Sequence, residues 1–153
     1  MISSLFRKTA MCFVSGAERK SMPKYKLTEH PAHIGLGAAI SVEPIMTGSL
    51  DWYEGYTERN GKDGVEGRLV SSHSFSESWT TWEMHPNGEE LVLCTHGVMT
   101  LIQELPDGSV QQTELTAGEY AVNPRGVWHT ADIKEHATAV FITSGIGTEQ
   151  RGR

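Results

Sequence analysis

The chain has 153 residues, 38% hydrophobic and 21% charged, which suits one domain with a buried core and leaves no room for a second. A formal net charge of -6 and an isoelectric point near 5.6 argue against the basic stripe that tracks phosphate backbones, so no nucleic-acid partner is expected. No apolar run approaches the roughly 18 residues of a membrane span, and Cys12 and Cys94, the only cysteines, indicate neither a disulfide framework nor a thiolate zinc site, so a reducing cytoplasmic setting without a membrane partner is expected.

Residues 1–21 carry Arg7, Lys8, Arg19 and Lys20 against Glu18 alone, with frequent Ser and Ala. That make-up is presequence-like and would direct the chain to an organelle, whereas Met22-Pro23-Lys24 would serve as a start of its own if the segment is a non-native extension. Either way 1–21 is set apart as a leader. From 22 to 67 glycines interrupt short apolar pieces such as Ala38-Ala39-Ile40, and an irregular N-terminal arm with loops is expected. Within it Asp51-Trp52-Tyr53-Glu54-Gly55-Tyr56 is read as packing like an arm, and Asn60-Gly61-Lys62-Asp63-Gly64 as turn chemistry closing an exposed loop.

From 68 to 146 the pattern becomes a series of short strand-like runs: Arg68 to Phe75, Ser78 to His85, Glu90 to Cys94, Val98 to Glu104, Val110 to Leu115, Tyr120 to Asn123, Val127 to Ile133 and Ala137 to Thr143. Leu105-Pro106-Asp107-Gly108-Ser109 is a hairpin signal, because Asp-Gly accepts the positive φ of tight hairpins. Many short strands with almost no helical periodicity predict an all-β sandwich or barrel, followed by a tail over 147–153.

Strand alternation says which side chains meet. Thr81, Glu83 and His85 share one face, with Trp82 and Met84 on the other. Pro86-Asn87-Gly88 then reverses the chain, which brings Glu90 beside His85, with Val92 and Cys94 on the face of Glu90. Pro124-Arg125-Gly126 leads into a run whose face carries Val127, His129 and Ala131. If these faces point into one barrel, two imidazoles and one or two carboxylates meet at a point. Glu83 could otherwise pair with Arg125 or accept from a lumen histidine, giving a polar pocket without metal.

The chain from about Ser78 to Thr143 resembles the cupin superfamily. In that family's first motif a Gly is followed after five residues by His-x-His, then after three or four residues by Glu, and after six more by Gly. Here His85, Glu90 and Gly97 fall on the last three of those positions, while Glu83 replaces the first histidine and no glycine opens the motif. Gly118, Pro124, Gly126 and His129 reproduce the first four fixed positions of the second motif, and Ile133 replaces its closing asparagine.

The resemblance implies a double-stranded β-helix, or jelly-roll, barrel that is often dimeric. It also implies ligand positions at His85, Glu90 and His129, with Glu83 on the fourth. Two His with one or two carboxylates suit a divalent Fe, Mn, Ni or Zn ion and leave coordination positions open. The function expected is metal-dependent oxygenase, isomerase or lyase chemistry on a small oxygenated substrate; a non-catalytic module binding a sugar or small acid is the alternative. Trp79, Thr81, Cys94 and Arg125 are read as lining the substrate pocket, and a homodimer is expected because strands over Arg68 to Trp79 offer an edge. His73 could line the barrel, His96 is read as a solvated turn residue, and His30, His33 and His136 as loop residues.

Overall fold

Alternation of apolar and polar residues is densest between Arg68 and Thr143, and there the sheet is built. The structure, a computed structural model, describes residues 22–153; the leader read over 1–21, with Cys12, lies outside the described residues. Its strands are β1 (Ala32–Ile34), β2 (Ile40–Val42), β3 (Arg68–Phe75), β4 (Thr81–Met84), β5 (Glu90–Glu104), β6 (Val110–Thr116), β7 (Tyr120–Asn123), β8 (Trp128–Thr143) and β9 (Glu149–Gly152). All pairings are antiparallel, in the order β2-β1-β3-β8-β4-β9, with β5 joined to β6, β7 and β8. This is the expected jelly roll.

The 16-residue β8 is its spine. Its first half lies between β4 and the far half of β5, and its second half between β3 and the near half of β5. Inside, Val92, Met99, Leu101, Leu115, Ala131 and Phe141 form the main apolar core. Burial of a side chain such as Leu101 contributes about 1.5–3 kcal/mol.

Two pairs of runs that read as separate strands are continuous here, forming the 15-residue β5 and the 16-residue β8. The breaks in their patterns mark register shifts between Cys94 and His96 and between Gly97 and Met99. Gly97 has φ +72°, and a Cβ there would lie 2.0 Å from the His136 carbonyl oxygen, so the crossing strands demand glycine. The expected hairpin joins β5 to β6, with the Asp107 carboxylate accepting from the Ser109 amide at 2.9 Å.

The stretch read as arm and loops is more ordered than its glycines suggest. Strands β1 and β2 extend the sheet beyond β3, so the edge expected at Arg68 to Trp79 is covered within the chain over Arg68–Val70, where β2 becomes the outer strand. A helix, α1 (Leu50–Asn60), opens on Ser49, whose hydroxyl accepts from the Trp52 amide, with Asp51 in its first turn and Arg59 in its last. It buries Trp52, Tyr56 and Asn60, a stripe one residue wide, with the two aromatics packed against Leu69. Such a narrow stripe, with Gly55 inside it, gives little helical periodicity to read.

Asn60, expected in an exposed loop, is buried and donates to Glu43 at 2.9 Å. His33, also read as a loop residue, lies buried on β1 between the Tyr56 hydroxyl at 2.8 Å and Asp63 at 3.0 Å. The tail read over 147–153 contains β9, which pairs along the whole of β4.

Candidate metal centre

Strand pairing sets the centre. Glu83 on β4 stands opposite His129 on β8, and Gln150 on β9 and Gln103 on β5 continue the same row on either side. Paired residues across a sheet face the same way, so these four side chains share one face. His85, two residues beyond Glu83, joins that face as β4 ends. Its carbonyl accepts from the Gly126 amide at 3.0 Å, and Arg125 Nε donates to the Pro86 carbonyl at 2.7 Å. The turns before β5 and β8 are thereby laced together, and the rings of His85 and His129 come within 5.2 Å, centroid to centroid.

Each ring is oriented from its Nδ1 side. In His129, Nδ1 donates to the Val127 carbonyl at 3.2 Å, which in the neutral ring leaves the lone pair on Nε2. The Nδ1 of His85 lies 3.0 Å from the Thr148 hydroxyl. Both Nε2 atoms are buried without a hydrogen-bond partner. They stand 3.3 Å (His85) and 3.2 Å (His129) from oxygens of Glu90, within ion-pair distance but without directed hydrogen bonds. One ligand atom from each of Glu83, His85 and His129 lies within 4.8 Å of the others, a span that donors around one cation occupy when each bond is about 2.0–2.2 Å. The residues therefore fit a divalent ion.

Glu90 is held from the opposite side. The Thr143 hydroxyl donates to one of its oxygens at 2.6 Å and Asn123 Nδ2 to the other at 2.9 Å; Gln103 in turn donates to the Asn123 side chain at 2.7 Å. Burial alone would raise the pKa of Glu90, but the attraction of His129 and His85 outweighs it and holds the carboxyl well below its ordinary range. Glu83 moves the other way, because burial and then the charge of Glu90 both favour its neutral form. For His129, burial lowers the pKa, and Glu90 more than reverses that, leaving it raised.

The remaining sequence-derived pocket residues divide. Trp79 joins an aromatic wall, 5.6 Å from Phe75, 5.9 Å from Phe141 and 6.4 Å from His129, and its indole N–H is buried without a partner. His73 extends the same wall against Phe141, and burial lowers its pKa. Thr81 is half-buried at the start of β4, opposite Gly152. Cys94 is fully buried in the apolar core; burial pushes its thiol pKa up, and its Sγ lies 3.4 Å from the His96 carbonyl. Arg125 is exposed and bonded to Pro86, away from any pairing with Glu83. His96 is exposed, as expected, but lies at the β5 shift beside His136, 5.6 Å between ring centroids.

Residues not foreseen from the sequence are those that hold the ligands: Thr143 and Asn123 on Glu90, Thr148 on His85, and Gln150, whose amide donates to Glu83 at 2.8 Å. Asn123 carried a signal, since it adjoins Pro124 of the second motif. Thr148 and Gln150 carried none.

No protein-family model matches the chain, and no curated protein matches it. Among solved structures it is similar to an oxalate oxidase, at 20% identity over 53% of this chain and 44% of that one, with a TM-score of 0.47. It is also similar to a cupin-2 domain containing protein from Shewanella frigidimarina NCIMB 400, at 21% identity over 56% of this chain and 71% of that one, with a TM-score of 0.41. A variant of Bacillus subtilis oxalate decarboxylase matches at 15% identity over 56% of this chain and 23% of that one, with a TM-score of 0.45. The chain spans less than half the length of the oxalate oxidase it matches. With identities this low and TM-scores below 0.5, these likenesses bear on neither the activity nor the metal of this chain. No helix among the described residues is long and apolar enough to cross a membrane.

Proposed function

We propose that the chain is a small metal-dependent protein in which Glu83, His85 and His129, with Glu90 beside them, hold a divalent cation, and that it acts on a small oxygenated molecule bound in the barrel lumen. The observation that carries this reading is the pair of buried imidazole Nε2 atoms without hydrogen-bond partners, set beside a carboxylate within 4.8 Å. An unsatisfied buried polar atom costs about 1–3 kcal/mol, and a cation that accepts both lone pairs removes that cost. Buried carboxylates are retained in proteins when paired or metal-bound, which suits Glu90; Glu83 is half-buried. A donor set of nitrogen and oxygen without thiolate favours Mn, Fe, Ni or Zn.

When bound, such a cation polarises a ligand oxygen or offers it an open coordination position. The chain's own groups do the rest. Val127 and Thr148 fix the two rings through their Nδ1 atoms. Gln150 holds the Glu83 carboxylate through its side-chain amide. Phe75, Trp79 and Phe141 give an apolar wall that excludes water, and the Trp79 indole N–H is a free donor for a ligand oxygen. The functional unit is proposed to be a homodimer, with a second copy covering β2, where Ile40 and Val42 are 72% and 45% exposed.

Elemental analysis of protein purified without a chelating tag tests the metal, followed by calorimetry with Fe(II), Mn(II), Ni(II) and Zn(II) in turn. One ion per chain is expected. A wild type that binds none of the four overturns the reading.

A further inference from the structure

Two of the ligand side chains are held by one short strand that has little to hold it. Gln150 bonds Glu83, and Thr148, one residue before β9, bonds His85. Yet β9 reads Glu-Gln-Arg-Gly, contains no apolar residue, is exposed at all four positions and pairs on one side only, with β4. Hydrophobic burial does not fix it. Isolated edge ladders of this length are marginal.

What fixes it lies on the opposite face. Alternation sends Arg151 outward when Gln150 points in. Its guanidinium lies 4.4 Å from the Trp128 ring centroid and 5.4 Å from that of Trp82, and it bonds the Glu104 carboxylate. Trp82 and Trp128 are the chain neighbours of Glu83 and His129, so the outer clamp sits directly behind the inner ligands. Arg153 adds a second anchor: its amide donates to the Thr80 carbonyl at 3.0 Å and its guanidinium lies 2.7 Å from Asp132. Planar guanidinium stacking and charge pairing replace the missing apolar burial.

We propose that Arg151 and Arg153 are positioning residues for the metal centre: by docking β9 from outside the barrel they keep Gln150 on Glu83 and Thr148 on His85. The docking half stands on this geometry alone, and the metal half rests on the proposed function above. Coupling between two sites is reciprocal, so strand docking tightens cation binding and a bound cation protects the strand.

The test uses the full chain, with Mn(II) as probe. Manganese affinity is measured by calorimetry, and amide hydrogen exchange of β9 is followed with and without the ion, for wild type, Arg151→Ala, Arg151→Lys, Arg151→Ala/Arg153→Ala and Gln150→Leu. Loss of groups that orient ligands typically weakens metal affinity about 10- to 100-fold. Arg151→Ala/Arg153→Ala is expected to fall in that range while β9 amides exchange faster. Arg151→Lys keeps the charge and restores part of both. Because the arginines act through Gln150, Arg151→Ala added to Gln150→Leu should cost less than the sum of the two. In the wild type manganese should slow exchange in β9.

Faster exchange with unchanged affinity overturns the positioning role, as does full additivity with Gln150→Leu. Unchanged exchange in the double arginine variant overturns the docking half. If the wild type takes up no manganese, iron, nickel or zinc, it is the metal reading that fails, and exchange in the arginine variants still decides whether they dock β9.

Discussion

Glu83 and His129 are direct partners across β4 and β8, and this one pairing joins the residues of the first motif to those of the second. A slip of one residue would turn Trp82 into the lumen and Glu83 out of it. The register that places Trp82 and Trp128 outside is therefore the register that assembles the centre.

Replacing His129 by Ala removes a buried nitrogen donor outright, whereas Glu83→Gln removes charge and leaves an oxygen. Metal content after reconstitution with Mn(II) should fall much further in His129→Ala, on the order of 100-fold in affinity, than in Glu83→Gln, about tenfold. Calorimetry on both variants checks the order; equal losses contradict it.

The metal-free protein should lose thermal stability as pH rises from about 7 to 8 and beyond, above the range in which His73, its native pKa lowered by burial, adds stability of the opposite sign up to its unfolded value of about 6.5. Glu83 and His129 both have raised native pKa values, so each contributes stability fully below its unfolded value, about 4.3 for Glu and 6.5 for His, and loses it as pH passes the native one. Glu90, with a depressed native value, contributes above about 4.3 and loses that only as pH falls through its native value, so it does not offset the alkaline trend. Metal binding has the opposite sign, since it needs a neutral imidazole and an ionised Glu83, and affinity should rise over the same range. Melting curves and manganese titrations at matched pH decide this. A metal-free melting temperature that climbs from pH 7 to 8 runs against it.

Asn123→Ala removes one of the two neutral donors to Glu90 and leaves the Gln103 amide short of an acceptor. Hydrogen bonds to buried charges are worth about 1.5–3 kcal/mol, so urea denaturation should show a loss of roughly 2 kcal/mol or more. An unchanged midpoint would mean that water replaces the amide.

Gly97→Ala meets the His136 carbonyl and holds a left-handed φ. Backbone strain of this kind costs about 1–3 kcal/mol before the clash is counted. A melting temperature lower by several degrees is expected, together with loosened pairing at the β5–β8 crossing, read by hydrogen exchange at Cys94 and Met99.

Much of this was legible because period-2 alternation and turn chemistry act locally. Glu83 and His85 share a face by counting, and Pro86-Asn87-Gly88 turns Glu90 back toward them. β3 and β7 can be bounded from their flanking turn signals alone. What stayed hidden depends on contacts far apart in sequence. β9 is wholly polar, and its strand character comes from β4, about 67 residues earlier in the Gln150–Glu83 bond. Helix α1 buries only Trp52, Tyr56 and Asn60, too few for a hydrophobic period, and is fixed by packing on Leu69. His33 looks solitary in sequence because its partners, Tyr56 and Asp63, are 23 and 30 residues away.

The doubly flanked position of β8 has a kinetic corollary. His129 rides on a strand bonded on both sides, and Glu90 on one paired with both β7 and β8. Glu83 and His85 belong to or adjoin the four-residue β4, whose longer pairing is with the exposed β9. Local opening draws on the least stable edge, so the β4 side frays while the β8 side stays closed. An ion held here would leave stepwise, released first by Glu83 and His85 and last by His129 and Glu90. Its off-rate would follow the fraying of a short hairpin-like edge, orders of magnitude faster than unfolding of the barrel, so exchange of the ion would proceed while the protein remains folded.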